Sequence, residues 1–186
     1  MQFMATLPDK AFDLAVVDPP YGINYDLMQK QQADSNKISN GGKWKKYKTT
    51  NWDKEIPSIK YFKELFRVSQ CQIIWGGNYF FLPPCCKWLV WNKIQRSCMS
   101  DGEMAWTSMN GQVDIFDMSR ADAYINKCDE KIHPTQKPVA LYNWILRNYA
   151  NPGQRILDTH LGSGSSAIAA HYFGCDFVGC EIDTDY

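Results

Sequence analysis

The run Phe12 to Gly22, "FDLAVVDPPYG", sets a carboxylate, two prolines and an aromatic directly behind an apolar stretch. An acid at the carboxyl end of a buried strand lies where open α/β sheets bind ligands. Pro19 and Pro20 have fixed φ and no N–H, so carbonyls there can point into a site without a competing donor. Tyr21 adds a flat face. Such a corner suits a planar substrate carrying an amino group: Asp18 and a backbone carbonyl accept from the NH₂ while the ring stacks on the tyrosine. An ordinary strand-ending turn has the same residues, and this run alone leaves both readings open.

A second chemical stretch lies near the other end, "RILDTHLGSGSSAIAAHYFGCDFVGCEID". A strand ends at Asp158, a loop carries Gly162 and Gly164, a helix of small residues follows, and the next strand ends at Glu181. Glycines at a strand-to-helix turn let a ligand approach the backbone, and an acid at the tip of the next strand can accept from ribose hydroxyls. The layout points to a nucleoside cofactor without saying which, because "GSGSS" lacks the third glycine of the dinucleotide fingerprint.

The elements that must position these residues read as an α/β layer. Leu14 to Val17, Ile73 to Trp75 and Trp88 to Trp91 are short apolar runs suited to strands buried on both faces. Between the first two, Ile59 to Val68 is amphipathic, with Ile59, Phe62 and Phe66 on one side and Lys60, Lys63 and Arg67 on the other. Asp101 to Phe116 alternates and is rich in turn residues, so hairpin-like strands are expected there. Asp101 and Glu103 within it either line a pocket or form salt bridges at the sheet edge. Further on, "KIHPTQKP" reads as a loop, Val139 to Tyr149 as a helix with Pro138 in its first turn, and the small-residue helix stops at Gly174.

Residues 29–54 depart from this pattern, with seven lysines against two aspartates and Trp44, Tyr47 and Trp52 interleaved. So long a loop is either a solvated excursion or functional, and as the latter it is a flap whose lysines meet phosphates and whose aromatics meet bases.

Composition narrows the class. The chain has 186 residues, enough for one sizeable core, so a single domain over 1–186 is expected. Twenty basic and twenty acidic residues cancel, so any polyanion contact must be local. No apolar run approaches a membrane span and the start lacks a secretory signal, which leads to a cytoplasmic expectation. Seven cysteines without a CxxC pair suggest reduced, buried thiols instead of a disulfide frame or zinc site.

Taken in order, these motifs resemble a known family. "DPPY" at Asp18 to Tyr21 matches motif IV of the amino-directed DNA methyltransferases, "LDTHLGSGSS" resembles their S-adenosylmethionine motif I, and "HPTQKP" at His133 to Pro138 looks like motif X. Catalytic motif first and cofactor motif last is the circularly permuted arrangement of the β class, and "QIIWGGNYF", "WLVWNK" and "SDGEMAWTS" resemble central strands of its small bacterial and phage members. The resemblance implies a Rossmann-like α/β fold with three αβα layers, permuted in order. It implies S-adenosyl-L-methionine as cofactor, DNA as partner, and neither metal nor membrane, with a homodimer as the oligomeric form entertained.

By the same resemblance, Asp18 and the carbonyl of Pro19 grip the exocyclic amine of an extruded adenine, Pro20 shapes the turn, and Tyr21 stacks on the base. Asp158, Gly162 and Gly164 surround the methionine and sugar portions of the cofactor, Glu181 binds the ribose hydroxyls, and Thr135 and Lys137 sit near the methionine end. His133 is as readily a loop-shaping hydrogen bonder. Family members that methylate cytosine N4 more often carry serine in place of Asp18, which favours adenine N6. The family normally continues past "EIDTDY" with a tyrosine-led helix. It also places a target-recognition region where this chain has only a short variable stretch, 110–132. DNA contact is therefore expected from Lys43, Trp44, Lys45, Lys46 and Lys48, with a short or relaxed recognition sequence. A catalytically silent DNA-binding subunit that keeps the fold, and a nicotinamide oxidoreductase, are the rivals; the latter leaves "DPPY" and "HPTQKP" unexplained.

Overall fold

The computed structural model describes residues 2–25, 53–94, 100–124, 133 and 135–183. In chain order these form helix α1 (Gln2–Ala5), strand β1 (Phe12–Val17), helix α2 (Ile59–Val68), β2 (Ser69–Trp75), a 3₁₀ turn (Gly77–Tyr79), β3 (Trp88–Asn92), β4 (Gly102–Thr107), β5 (Asp114–Asp117), α3 (Arg120–Tyr124), α4 (Val139–Tyr149), β6 (Arg155–Asp158), α5 (Ser165–Phe173) and β7 (Asp176–Gly179).

The seven strands make one sheet in the order β5-β3-β4-β2-β1-β6-β7. Strands β2, β1, β6 and β7 are mutually parallel, β4 runs against both β2 and β3, and β5 runs parallel to β3. Strand β1 lies near the middle and is buried on both faces, as its unbroken apolar run requires. Its side chains divide by parity. Leu14 and Val16 join a cluster with Leu141, Ile145 and Leu146 of α4 and Ala169 and Ala170 of α5. Ala15 and Val17 join another with Phe62, Leu65 and Val68 of α2. Two cores on opposite faces of one sheet give the three αβα layers.

Two local expectations are corrected. Residues 102–107 do not pair with 114–117 as a hairpin: β4 takes β3 as its antiparallel partner, with Trp91 opposite Glu103, and β5 joins the far side of β3. Strand β4 thereby becomes an inner strand and Glu103 leaves the sheet edge, while β5 at the edge alternates between exposed and half-buried residues. On α2 the buried stripe is Tyr61, Phe62, Leu65 and Val68, whereas Ile59 is exposed, because the side that meets β1 and β2 begins one turn later. Pro138 caps α4 from outside its first turn, and Gly174 ends α5 in the left-handed conformation at φ 82°.

The cysteines among the described residues are free, but Cys71, Cys85, Cys175 and Cys180 are only half buried and Cys86 is exposed, so they are not core thiols. Among the described residues no helix is long and apolar enough to cross a membrane, and no group of His, Cys, Asp and Glu could hold a metal ion. The DNA-contact expectation for Lys43, Trp44, Lys45, Lys46 and Lys48 lies outside the described residues.

Candidate active site

The geometry that matters begins with neighbouring strands. β1 and β6 pair in parallel, Leu14 beside Ile156 and Ala15 beside Leu157, so Asp158 at the end of β6 and Asp18 just past β1 emerge at one edge of the sheet. From β1 the chain goes on to β2 on one side, and from β6 to β7 on the other. Such a reversal of direction opens a crevice at the carboxyl ends of the strands.

At the β1 side the turn after Asp18 is held by Asp53, whose buried carboxylate accepts from the backbone N–H of Tyr21 at 2.7 Å, Gly22 at 2.9 Å and Tyr25 at 3.0 Å. The prolines cannot supply such donors, so the residues behind them do. In the sequence Asp53 is one acid in a lysine-rich run; its role depends on a contact across 32 positions. The Tyr21 hydroxyl donates to Asp18 Oδ1 at 2.6 Å. Burial of that hydroxyl, reinforced by the Asp18 charge, holds its pKa well above the usual tyrosine value, so it stays a donor.

The Tyr21 ring does not offer a bare face. Tyr79 lies on it with centroids 5.0 Å apart and planes within 12°, and Phe80 meets it edge-on. The close approach depends on Gly76, which has φ 68°: a Cβ there would come within 2.1 Å of the tyrosine ring. Tyr79 itself remains 44% exposed.

Lys137, which the motif resemblance sets near the methionine end of the cofactor, has its Nζ 2.5 Å from Asp18 Oδ2, 3.1 Å from Glu103 Oε2 and 3.2 Å from the Tyr21 hydroxyl. The ammonium is buried, with the Trp75 ring centroid 5.2 Å away. Glu103 also meets Lys93, equally buried, at 2.6 Å. Burial opposes ionisation of Lys137, but the charges of Asp18 and Glu103 prevail and raise its pKa. For Glu103 the two lysines outweigh burial and hold its carboxyl down at about 2.

On the β6 side, Asp158 is buried and committed to the loop it starts: Oδ1 accepts from His160 N–H at 3.0 Å and Oδ2 from the Ser166 hydroxyl at 2.6 Å. Burial raises its pKa to about 6 against these bonds. Glu181, two residues past β7, takes the Gly162 N–H at 2.6 Å and the N–H groups of Ile182 and Asp183. Among the described residues no cation pairs with Asp158 or Glu181. Gly162 and Gly164 have φ 51° and 75°; a Cβ on Gly164 would meet nothing within 4 Å, and on Gly162 only the His133 ring at 3.9 Å. The loop is thus an open backbone cradle beside the "HPTQKP" segment.

Within that segment His133 acts as a loop former, its Nδ1 meeting the Thr135 N–H at 3.3 Å and hydroxyl at 3.1 Å. Nothing in the sequence signals the bonds of three residues: Tyr61 of α2 bonds Thr159 at 2.7 Å, and Thr159 bonds His160 at 3.0 Å, tying the cradle to α2. Burial lowers the His160 pKa to about 4, so the imidazole is neutral.

Asp18 behind β1 and the glycine loop behind β6 thus lie at the ends of adjacent parallel strands, and a family model described as DNA methylase, of the N6/N4 type, matches residues 23–186. The chain belongs to that family. In sequence it is 36% identical over 97 residues to the type II methyltransferase M1.MboII of Moraxella bovis, a match covering 50% of this chain and 37% of that protein. It is 43% identical over 54 residues to the DNA adenine methyltransferase YhdJ of Escherichia coli strain K12, covering 29% and 18%. The matches thus span well under two thirds of either relative. In structure it is similar to M1.HpyAVI in complex with SAM, with TM-score 0.56 and 19% identity over 99% of this chain and 87% of that one. The cytosine-N4-specific PvuII DNA methyltransferase gives 0.59 and 11% over 98% and 79%. The likeness to these two is one of fold, Rossmann-like and α/β.

Proposed function

We propose that this chain transfers a methyl group from S-adenosylmethionine to the exocyclic N6 amine of adenine in DNA. The observation that carries the reading is the placement of Asp18 and the Gly162–Gly164 cradle at the ends of adjacent parallel strands, which sets an amine acceptor beside a nucleoside cradle. The family supports DNA as substrate, and YhdJ, named for adenine, supports the base.

The residues present fit the cofactor. It carries a positively charged sulfur and ammonium, and the cradle faces it with Asp158 and Glu181, neither paired with a cation among the described residues. Open space where side chains would stand on Gly162 and Gly164 leaves room for a nucleoside against the backbone. Glu181 would receive the ribose hydroxyls, Asp158 would hold the loop in shape, and Thr135 would line the neighbouring segment. When bound, the cofactor supplies a methyl carbon on a cationic sulfur.

The chain's own part is to prepare the amine. The adenine N6 lone pair is delocalised into the ring, so the nitrogen is a weak nucleophile until its hydrogens are polarised. Asp18 and the Pro19 carbonyl accept those hydrogens, and Asp18 stabilises the positive charge that grows on the nitrogen. Both Asp18 oxygens already take one donor, from Tyr21 and Lys137, and each has a further lone pair for the substrate. The base must leave the duplex, at a cost of about a few kcal/mol, and the aromatic pair Tyr21–Tyr79 gives it a surface to stack on. Positioning of the two reactants contributes much of the rate.

The test is incubation with labelled S-adenosylmethionine and mixed-sequence duplex DNA, then nucleoside digestion and mass spectrometry. N6-methyladenine is expected; N4-methylcytosine would move the base and keep the site, and no methylated nucleoside would overturn the activity.

A further inference from the structure

Asp18 stands at the end of a row of charges whose other members methyl transfer by itself does not require. Asp18, Lys137, Glu103 and Lys93 follow one another with alternating sign at 2.5, 3.1 and 2.6 Å. They come from four parts of the chain: the turn after β1, the residue before the cap of α4, the inner strand β4, and the end of β3. Both lysines are buried, and each also lies near an indole ring, Lys137 by Trp75 and Lys93 by Trp91.

Resting on the methyltransfer reading above, we propose that Glu103 is a positioning residue for the reaction: by taking part of the Lys137 ammonium, it sets how tightly that ammonium holds Asp18. A buried lysine with Asp18 as its one partner would lock the carboxylate into a closed pair and compete with the substrate amine for it. Sharing the ammonium between two carboxylates loosens that hold while leaving Asp18 turned by two fixed donors, the Tyr21 hydroxyl and the Lys137 ammonium. Lys93 then balances Glu103, so that the row as a whole is neutral and its burial is tolerable. Reversed strand β4 is what makes this possible, since its register opposite Trp91 brings Glu103 to the face where Lys137 enters.

Among the described residues, the charged and titratable groups around Lys137 and Glu103 are Asp18 and Tyr21 behind β1, Lys93 behind β3, Tyr142 on α4 and, acting on Lys93, Arg120 at the start of α3. Of these, Asp18 and Glu103 are the two that favour the charged form of Lys137 against its burial. Removing Glu103 therefore lets Lys137 lose its proton at lower pH, and Asp18 then loses a donor.

The experiment compares the full chain with Glu103→Gln and Glu103→Asp, measuring kcat and KM for both substrates from pH 6 to 10. Alongside it, the cofactor dissociation constant and the NMR titration of the Lys137 ε-carbon are recorded. Expected for Glu103→Gln are a kcat about 10- to 100-fold lower, a cofactor dissociation constant within about twofold of wild type, and a new alkaline fall in kcat that Glu103→Asp largely restores. The Lys137 titration moves to lower pH in step. A folded Glu103→Gln protein with the wild-type profile, or a defect confined to cofactor affinity, overturns the proposal. If the wild-type chain methylates no DNA, the activity reading has failed and the catalytic role of Glu103 with it. The NMR titration then separately reports the coupling, an unmoved Lys137 overturning that as well.

Discussion

The two halves of the site treat their carboxylates in opposite ways. At the β1 corner the acids that face Lys137 are paired: Asp18 and Glu103 share that lysine, and Glu103 has Lys93 besides, while Asp53 beneath the turn is met by N–H groups. At the β6 corner Asp158 and Glu181 are met by N–H groups and a hydroxyl, with no paired cation among the described residues. The pKa values follow: Glu103 is held down at about 2 and Asp158 is pushed up to about 6. Under the proposed function, neutralised charge suits a corner that holds a neutral base in one orientation, and charge left unneutralised suits a corner that receives a cationic cofactor.

The sharpest way to separate the corners is Asp18→Ala, expected to lower kcat by about 10³-fold while leaving cofactor affinity within about threefold, read by methyl transfer and calorimetry. Loss of cofactor binding in this variant would mean that the corners are not independent. Next comes Lys137→Met, which leaves two neighbouring carboxylates without their shared cation. It should cost about 3–5 kcal/mol in denaturant unfolding, far more than an exposed ion pair.

A third contrast is pH. A buried acid whose pKa rises from 3.8 to about 6 binds more protons folded than unfolded, so its contribution to stability is full below 3.8 and declines as pH rises to about 6. For Asp158 that decline amounts to about 3 kcal/mol, and Asp158→Asn should remove it from the stability profile between pH 4 and 7. Glu103 has the opposite sign: its stabilisation is present above 4.5 and is lost as pH falls through about 2, outside that window. Smallest is the expected effect of replacing Lys43, Lys45, Lys46 and Lys48 by alanine. The slope of DNA affinity against salt should flatten by about 0.9 for each phosphate that no longer meets a lysine, and an unchanged slope would take these residues out of the interface.

Much of the frame was legible. The apolar run before Asp18, the α4 helix behind Pro138 and the small-residue helix ending at Gly174 are local patterns, and each appears as an element within a residue or two of its expected bounds. What misled was pairing. Residues 102–107 and 114–117 both alternate, and alternation says strand without naming a partner, so a hairpin was expected where β4 in fact pairs with β2 and β3. Tyr21 read as a free stacking face because nothing nearby in the chain hints that Tyr79 will lie on it.

The strand-ending acid, the rigid turn behind it, the glycine cradle and the helices that begin and end beside them follow from local sequence. These depend on neighbours along the chain: restricted φ, glycine freedom and hydrophobic periodicity act within a few residues. That Lys137 reaches Asp18 across 119 positions and is shared with Glu103 is a product of the folded chain, because a buried charge takes its partner from whatever surrounds it in space. That choice was made by the order of strands in the sheet, and above all by the reversal of β4.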